Sequence, residues 1–135
     1  MRISPNQGFT LIEALVVMVI MGILAMLAVP AYLAYVQKSR REDAIASLTR
    51  LQLEQEKWRA NHPSYGALAD VWTGTDSAEG YYTLAVTGSD ATGYGATAAP
   101  KAGGPQVGDA CGTFAVDQEG PDYSGTYADA RCWGK

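Results

Sequence analysis

Charge is nearly absent from the first quarter of this 135-residue chain: from Phe9 to Tyr35 the one charged side chain is Glu13. Histidine is almost absent as well. The single one, His62, sits beside Pro63 in a presumed loop, where it builds no Ser/His/Asp set and reads as a solvated side chain. No CxxC, HExxH or phosphate-cradling glycine loop occurs, and Gly103-Gly104 lacks the strand-then-helix setting and the lysine such a loop needs. Positive charge is scarce after residue 60. Only Lys101, Arg131 and Lys135 face nine acids there, a balance of −6. That argues against a broad nucleic-acid surface, whose affinity comes chiefly from Lys and Arg neutralising phosphates, and does not exclude a small basic patch. Asp117, Glu119, Asp122 and Asp129 gather near the last turn. Carboxylates of this kind can ligate calcium, but their spacing is not that of an EF-hand loop, and a solvated acidic turn is the reading. No catalytic residue, metal or cofactor is expected, and the chain is not read as an enzyme.

What is present begins with residues 8–35, an apolar run long enough to cross a bilayer, since a spanning helix needs about 20 such residues. A secretory signal would have a shorter apolar stretch followed by a small-residue cleavage site. Here the small-residue break, Gly8, comes before the run, behind a short polar leader carrying Arg2. Cleavage there leaves the apolar segment on the mature protein. Its lone carboxyl group is costly in hydrocarbon, by about 2.5 kcal/mol or more, and persists where a cation meets it. The amine freed at Phe9 lies one turn away and is the obvious partner. It is also at the helix N-terminus, where the macrodipole favours negative charge.

The string Gly8-Phe9-Thr10-Leu11-Ile12-Glu13 at the N-terminus, with about 20 apolar residues behind it, resembles the class III signal of type IV pilins and type II secretion pseudopilins. The resemblance implies that a prepilin peptidase cuts between Gly8 and Phe9 and methylates the new Phe9 amine. It implies that Glu13 pairs with the N-terminal amine of a neighbouring subunit. It also implies partial unwinding between Gly22 and Pro30 when subunits pack into a filament. The residues alone agree that the stretch is weak: glycine costs a helix about 1 kcal/mol relative to alanine, and proline removes a backbone bond. A static kink is the other reading.

Beyond Tyr35 polar residues return while the helical period persists. Ala44, Leu48, Leu51, Gln55 and Trp58 step by four, three, four and three, with charged residues from Lys38 to Arg59, Asp43 among them, on much of the rest. The helix is expected to stop near Asn61-His62-Pro63. From Phe9 to there it would be about 80 Å long, more than a compact chain of this size needs. Residues 61–79 read as a loop with a helical turn near Ala67–Val71. Tyr65 and Trp72 in it are expected to cap the core edge. Strands follow at 80–87, 94–99 and 111–117, separated by glycine-rich turns, as an antiparallel meander. Roughly 75 residues is small for a self-sufficient core, and two cysteines in an exported part are expected to close a disulfide. The Cys111–Cys132 interval also resembles the disulfide-bounded D-region of type IV pilins. The CGTFAVD segment with a terminal Cys-Trp, and the helix string from Ser39 to Tyr65, are similar to PilE-like minor pilins.

The expected architecture is α+β, the type IV pilin fold: a long N-terminal helix packed on a small antiparallel sheet. The expected organisation is a cleaved leader 1–8, a transmembrane and filament-core helix 9–35, and a periplasmic head 36–135. The head comprises an amphipathic helix 36–61 and the sheet with its disulfide-bounded region, 80–135. The expected function is that of a minor pilin supporting pilus biogenesis, twitching motility or adhesion. It would wait in the inner membrane and then join an extracellular pilus. Its expected partners are other pilin subunits, prepilin peptidase, the inner-membrane assembly machinery and the membrane itself. A type II secretion pseudopilin shares the same signal. A DNA-uptake receptor pilin is the third reading, and the acidic head weighs against it.

Overall fold

The structure, a computed structural model, describes residues 8–134. The expected leader lies outside the described residues except for Gly8. The chain divides into two compact units, Met1–Val36 and Gln37–Lys135. Helix α1, Leu11–Arg59, contributes to both.

Within the first unit α1 is helical through Gly22 and Pro30. Spanning helices tolerate both residues because local adjustments re-satisfy the freed backbone groups. This segment has a mean hydropathy of 2.7 in its most apolar window, and none of that window is buried within the chain. Leu11, Met18 and Met26 are each more than three-quarters exposed. A continuous apolar surface of that kind requires lipid or protein to cover it.

In the second unit α1 continues from Gln37 to Arg59. Its last turn tightens rather than reaching Asn61. The amides of Asn61 and His62 bond three residues back, to the carbonyls of Trp58 and Arg59, which is how a helix end commonly satisfies its last carbonyls. A single turn, α2 (Leu68–Val71), follows, and then three strands: β1 (Tyr82–Thr87), β2 (Gly95–Pro100) and β3 (Phe114–Asp117). They form one antiparallel sheet in the order β1-β2-β3, with Leu84 opposite Ala98 and Ala96 opposite Val116. Alternate residues of β1 point inward, as a strand with one face on a core requires. Ala44, Leu48 and Leu51 of α1 bury themselves with Tyr82, Leu84, Ala96, Ala98, Phe114 and Val116.

Two strands start later than the pattern suggests, for local reasons. The Tyr81 amide is bonded to the Asp43 side chain, so β1 begins at Tyr82. Cys111 donates to Asp109, and the Thr113 carbonyl accepts from Ala128, so β3 begins at Phe114. Both sheet edges are occupied. Along β1, Leu84 donates to Thr75 and the Tyr82 carbonyl accepts from Ser77; along β3, the Ala115 carbonyl accepts from Asp122. Edge strands left open invite pairing with other chains, and here loop and tail segments cover them.

Cys111 and Cys132 are joined, which ties the tail to the start of β3. Trp133 packs edge-on against Phe114, with ring centroids 5.5 Å apart. Reducing the bond removes a loop closure across 21 residues. The expected cost is about 3 kcal/mol, read as a lower urea midpoint for the reduced head than for the oxidised one.

Candidate functional site

Two sets of residues carry the functional reading: the start of α1, and the cations of the head. At the first, Phe9 is 83 % exposed, and space around the Cα of Gly8 is open. Thr10 precedes the first helical residue, and its hydroxyl accepts a hydrogen bond from the Glu13 amide, 3.3 Å away. Thr10 is therefore the N-cap of α1. The T-x-x-E spacing that announces it lies inside the signal string. The Glu13 carboxyl itself has no ion-pair or hydrogen-bond partner among the described residues.

In the head, four cations are matched locally by carboxylates. Arg41 and Asp109 form a two-pronged pair, with Arg41 Nε 2.8 Å from Asp109 Oδ2. Burial has left the Asp109 side chain fully covered. Lys57 meets Glu54, Lys101 meets Asp76 and Arg131 meets Asp129. Three arginines of α1 differ. Arg40, Arg50 and Arg59 have no carboxylate partner among the described residues, and each lies over an aromatic ring of the segment leading into β1. Arg40 is 5.3 Å from the centre of Tyr81, Arg50 is 5.6 Å from that of Trp72, and Arg59 is 5.9 Å from that of Tyr65. Such a contact is weak at an exposed site and leaves the guanidinium N–H groups available. Arg59 spends part of that capacity on the carbonyls of His62 and Ala91. Tyr65 and Trp72 thus carry cations as well as packing on the core.

The sequence also missed Asp43. Counted there with the charged residues, it is 7 % exposed. Its carboxyl group accepts from the Ser77 hydroxyl and from the amides of Glu79 (2.9 Å) and Tyr81 (3.2 Å). Ser47 beside it accepts from Ala78, and Ser77 accepts from Tyr82. One turn of α1 thereby fastens the segment entering β1. Further along, Gln55 grips Gly66 with both ends of its amide, donating to the carbonyl and accepting from the N–H. A side chain on Gly66 would meet Val71 and Trp58 at 3.0 and 3.2 Å.

His62 is exposed, yet it does more than contact solvent. It stacks on Trp58 with ring centroids 3.7 Å apart, and its Nδ1 donates to the Trp58 carbonyl at 2.9 Å. The late acidic residues are engaged in turns. Asp117 accepts from the amides of Glu119 and Gly120, and Asp122 from that of Ser124. Among the described residues no group of three potential ligands is arranged for a metal ion. Asp90 holds the β1–β2 turn by accepting from Thr92 and Gly93, bonds that depress its pKa. Burial raises Tyr94 to about 12.

Residues 3–29 match the family model of the prokaryotic N-terminal methylation motif. Residues 30–115 match that of the type IV minor pilin ComP, DNA uptake sequence receptor. No curated protein matches the chain. The second match takes in the head half of α1, β1, β2 and the first two residues of β3, and the first takes in the segment holding Gly8, Phe9 and Glu13. The fold is the α+β type IV pilin fold, with a long N-terminal helix and a three-stranded antiparallel sheet, and the chain belongs to the type IV minor pilin family of ComP.

Proposed function

We propose that this minor pilin captures DNA for uptake, with its head as the receptor and its N-terminal helix as the assembly device. The match of residues 30–115 to the family described as a DNA uptake sequence receptor carries this reading. Arg40, Arg50 and Arg59 support it as cations without carboxylate partners among the described residues. As a family member the protein has other pilin subunits and the pilus assembly machinery as partners. The finer steps belong to the proposal. A prepilin peptidase removes residues 1–8 and methylates Phe9. Residues 9–35 hold the subunit in the inner membrane with the head outside the cytoplasm. Assembly then carries it into an extracellular pilus, with Gly22 to Pro30 as the stretch able to unwind. The work is binding and assembly, with no catalysis.

The acidity that weighed against DNA now limits how DNA is held. With four of the head's cations committed to carboxylates, few phosphates are neutralised. Titrating duplex DNA into the soluble head, from residue 36 onward, is expected to give a log–log salt slope of about −4, close to one unit for each of Lys38, Arg40, Arg50 and Arg59. Absence of binding at low salt overturns the reading. A deletion strain separates the pseudopilin alternative: DNA uptake is lost while exoprotein secretion continues.

A further inference from the structure

Beside the middle arginine stack the head has an open cleft of about 540 Å³. Arg50, Glu54, Val71, Trp72, Thr73 and Asp76 contribute to its wall. Its two acids are already matched, Glu54 by Lys57 at 2.9 Å and Asp76 by Lys101 at 2.6 Å. Arg50 is therefore the one charge of the wall without an ion-pair partner among the described residues. The guanidinium is exposed and held only loosely, 5.6 Å from the Trp72 ring centre, near the outer limit of about 6 Å for such contacts. It is free to turn toward an anion. The indole N–H is consumed by the Asp76 carbonyl at 3.0 Å, so Trp72 offers the cleft its ring and no hydrogen bond. Val71 adds apolar surface.

A wall of this kind asks for a ligand with two parts: one negative group, and a flat, largely apolar ring. The volume lies within the range of about 300–1,000 Å³ in which small ligands are held, so a phosphate alone leaves most of it empty. The backbone of an intact duplex passes over a surface and does not enter a concavity. An unstacked base does, with its phosphate following. We infer that this cleft takes a single unpaired nucleotide of a DNA strand. Its phosphate sits on Arg50 and its base lies against the guanidinium and indole faces. Recognition is tolerant of base identity, because every base has a π-face and the indole supplies no directional donor. The inference rests on the DNA-capture reading and gives that capture a single-strand foothold.

The test uses the full chain in detergent micelles and three probes: a short oligothymidylate, an abasic strand of the same length, and a blunt duplex. Oligothymidylate is expected to bind about tenfold more tightly than the abasic strand, since stacking on an aromatic platform is worth that much. Arg50→Ala is expected to weaken oligothymidylate about tenfold, with its thermal melting unchanged. Trp72→Phe keeps a ring for packing and is expected to weaken it by less than Arg50→Ala. Equal affinity for the base-bearing and abasic strands, or an Arg50→Ala variant that binds as wild type does, overturns the cleft as a nucleotide site. If duplex binding is intact in that case, the DNA reading stands and only this inference falls. Failure to bind any of the three probes removes both. An oligouronate of equal charge binding as tightly as oligothymidylate overturns the nucleotide assignment.

Discussion

Asp43→Ala is expected to lower the unfolding free energy of the head by about 3–5 kcal/mol, a large share of what a small domain possesses. The carboxyl group accepts from Ser77, Glu79 and Tyr81 at once, with the Ser47 hydroxyl also beside it. Removing it orphans two backbone donors and a hydroxyl where the chain turns from α1 into the sheet. Each such group costs about 1–3 kcal/mol when left without a partner. Asp43→Asn keeps the shape but presents N–H groups to N–H groups on one side, and it is expected to fall between wild type and alanine. Glu42→Ala, one residue away on the exposed side, is expected to stay within about 0.5 kcal/mol. Urea unfolding followed by tryptophan fluorescence separates the three. A loss below about 1 kcal/mol for Asp43→Ala would show that water replaces the carboxyl group without penalty.

Asp43 also marks where sequence reading stopped. The positions of α1 that step by three and four gave the buried stripe correctly, including Gln55, which is fully covered and bonded to Gly66. Periodicity treats a charged residue beside such a stripe as solvent-facing. The groups that make Asp43 an inside residue, Ser77 and the amides after it, lie at least 34 positions away, and no local pattern announces them. Separation along the chain also hid two of the arginine stacks, Arg40 on Tyr81 and Arg50 on Trp72. Tyr65, Trp72 and Tyr81 were legible as aromatics near the core edge, but which cation lies over which ring depends on how the connection wraps the helix. The strand order was legible because each strand pairs with the next along the chain, β2 following β1 after residues 88–94 and β3 following β2 after residues 101–113. The covered sheet edges were not, since they are made by loop and tail residues without strand character. The signal string was legible because its motif is local, with Gly8, Phe9 and Glu13 within six residues of one another.

Those covered edges bear on how the subunit joins a filament. With the outer sides of β1 and β3 bonded to residues 75–77 and 122–128, strand addition between heads finds few open backbone groups on either side. The large unsatisfied surface is elsewhere, on the apolar part of α1. Stability of the head and entry into the filament are thus governed by different residues, and a variant at one end is expected to leave the other intact.

Glu13→Ala is expected to reach the membrane, to be processed at Gly8 as wild type is, and then to be depleted at least tenfold from sheared pili. The argument starts from isolation. Glu13 is the one charged side chain between Phe9 and Tyr35. Its carboxyl has no partner among the described residues, and the side chains around it, such as Leu11, Ile12 and Val16, are exposed and apolar. Packing that surface against other subunits takes the carboxyl out of water, and an unpaired buried charge costs several kcal/mol. A neighbour's Phe9 amine would remove the penalty and would fix the axial position at which two helices meet. Alanine removes the penalty too, but also the register, so the apolar helices pack without a preferred offset. The local alternative is that Glu13 matters as the third residue of a capped helix. Thr10→Ala tests it, because loss of the cap costs about 1 kcal/mol and leaves the acid in place. If Glu13 serves the cap, the two variants enter pili equally poorly. If it serves the register, Thr10→Ala enters nearly as wild type does while Glu13→Ala stays in the membrane fraction. Quantifying the subunit in pili and membranes decides between them, and wild-type incorporation of Glu13→Ala would remove the intersubunit role.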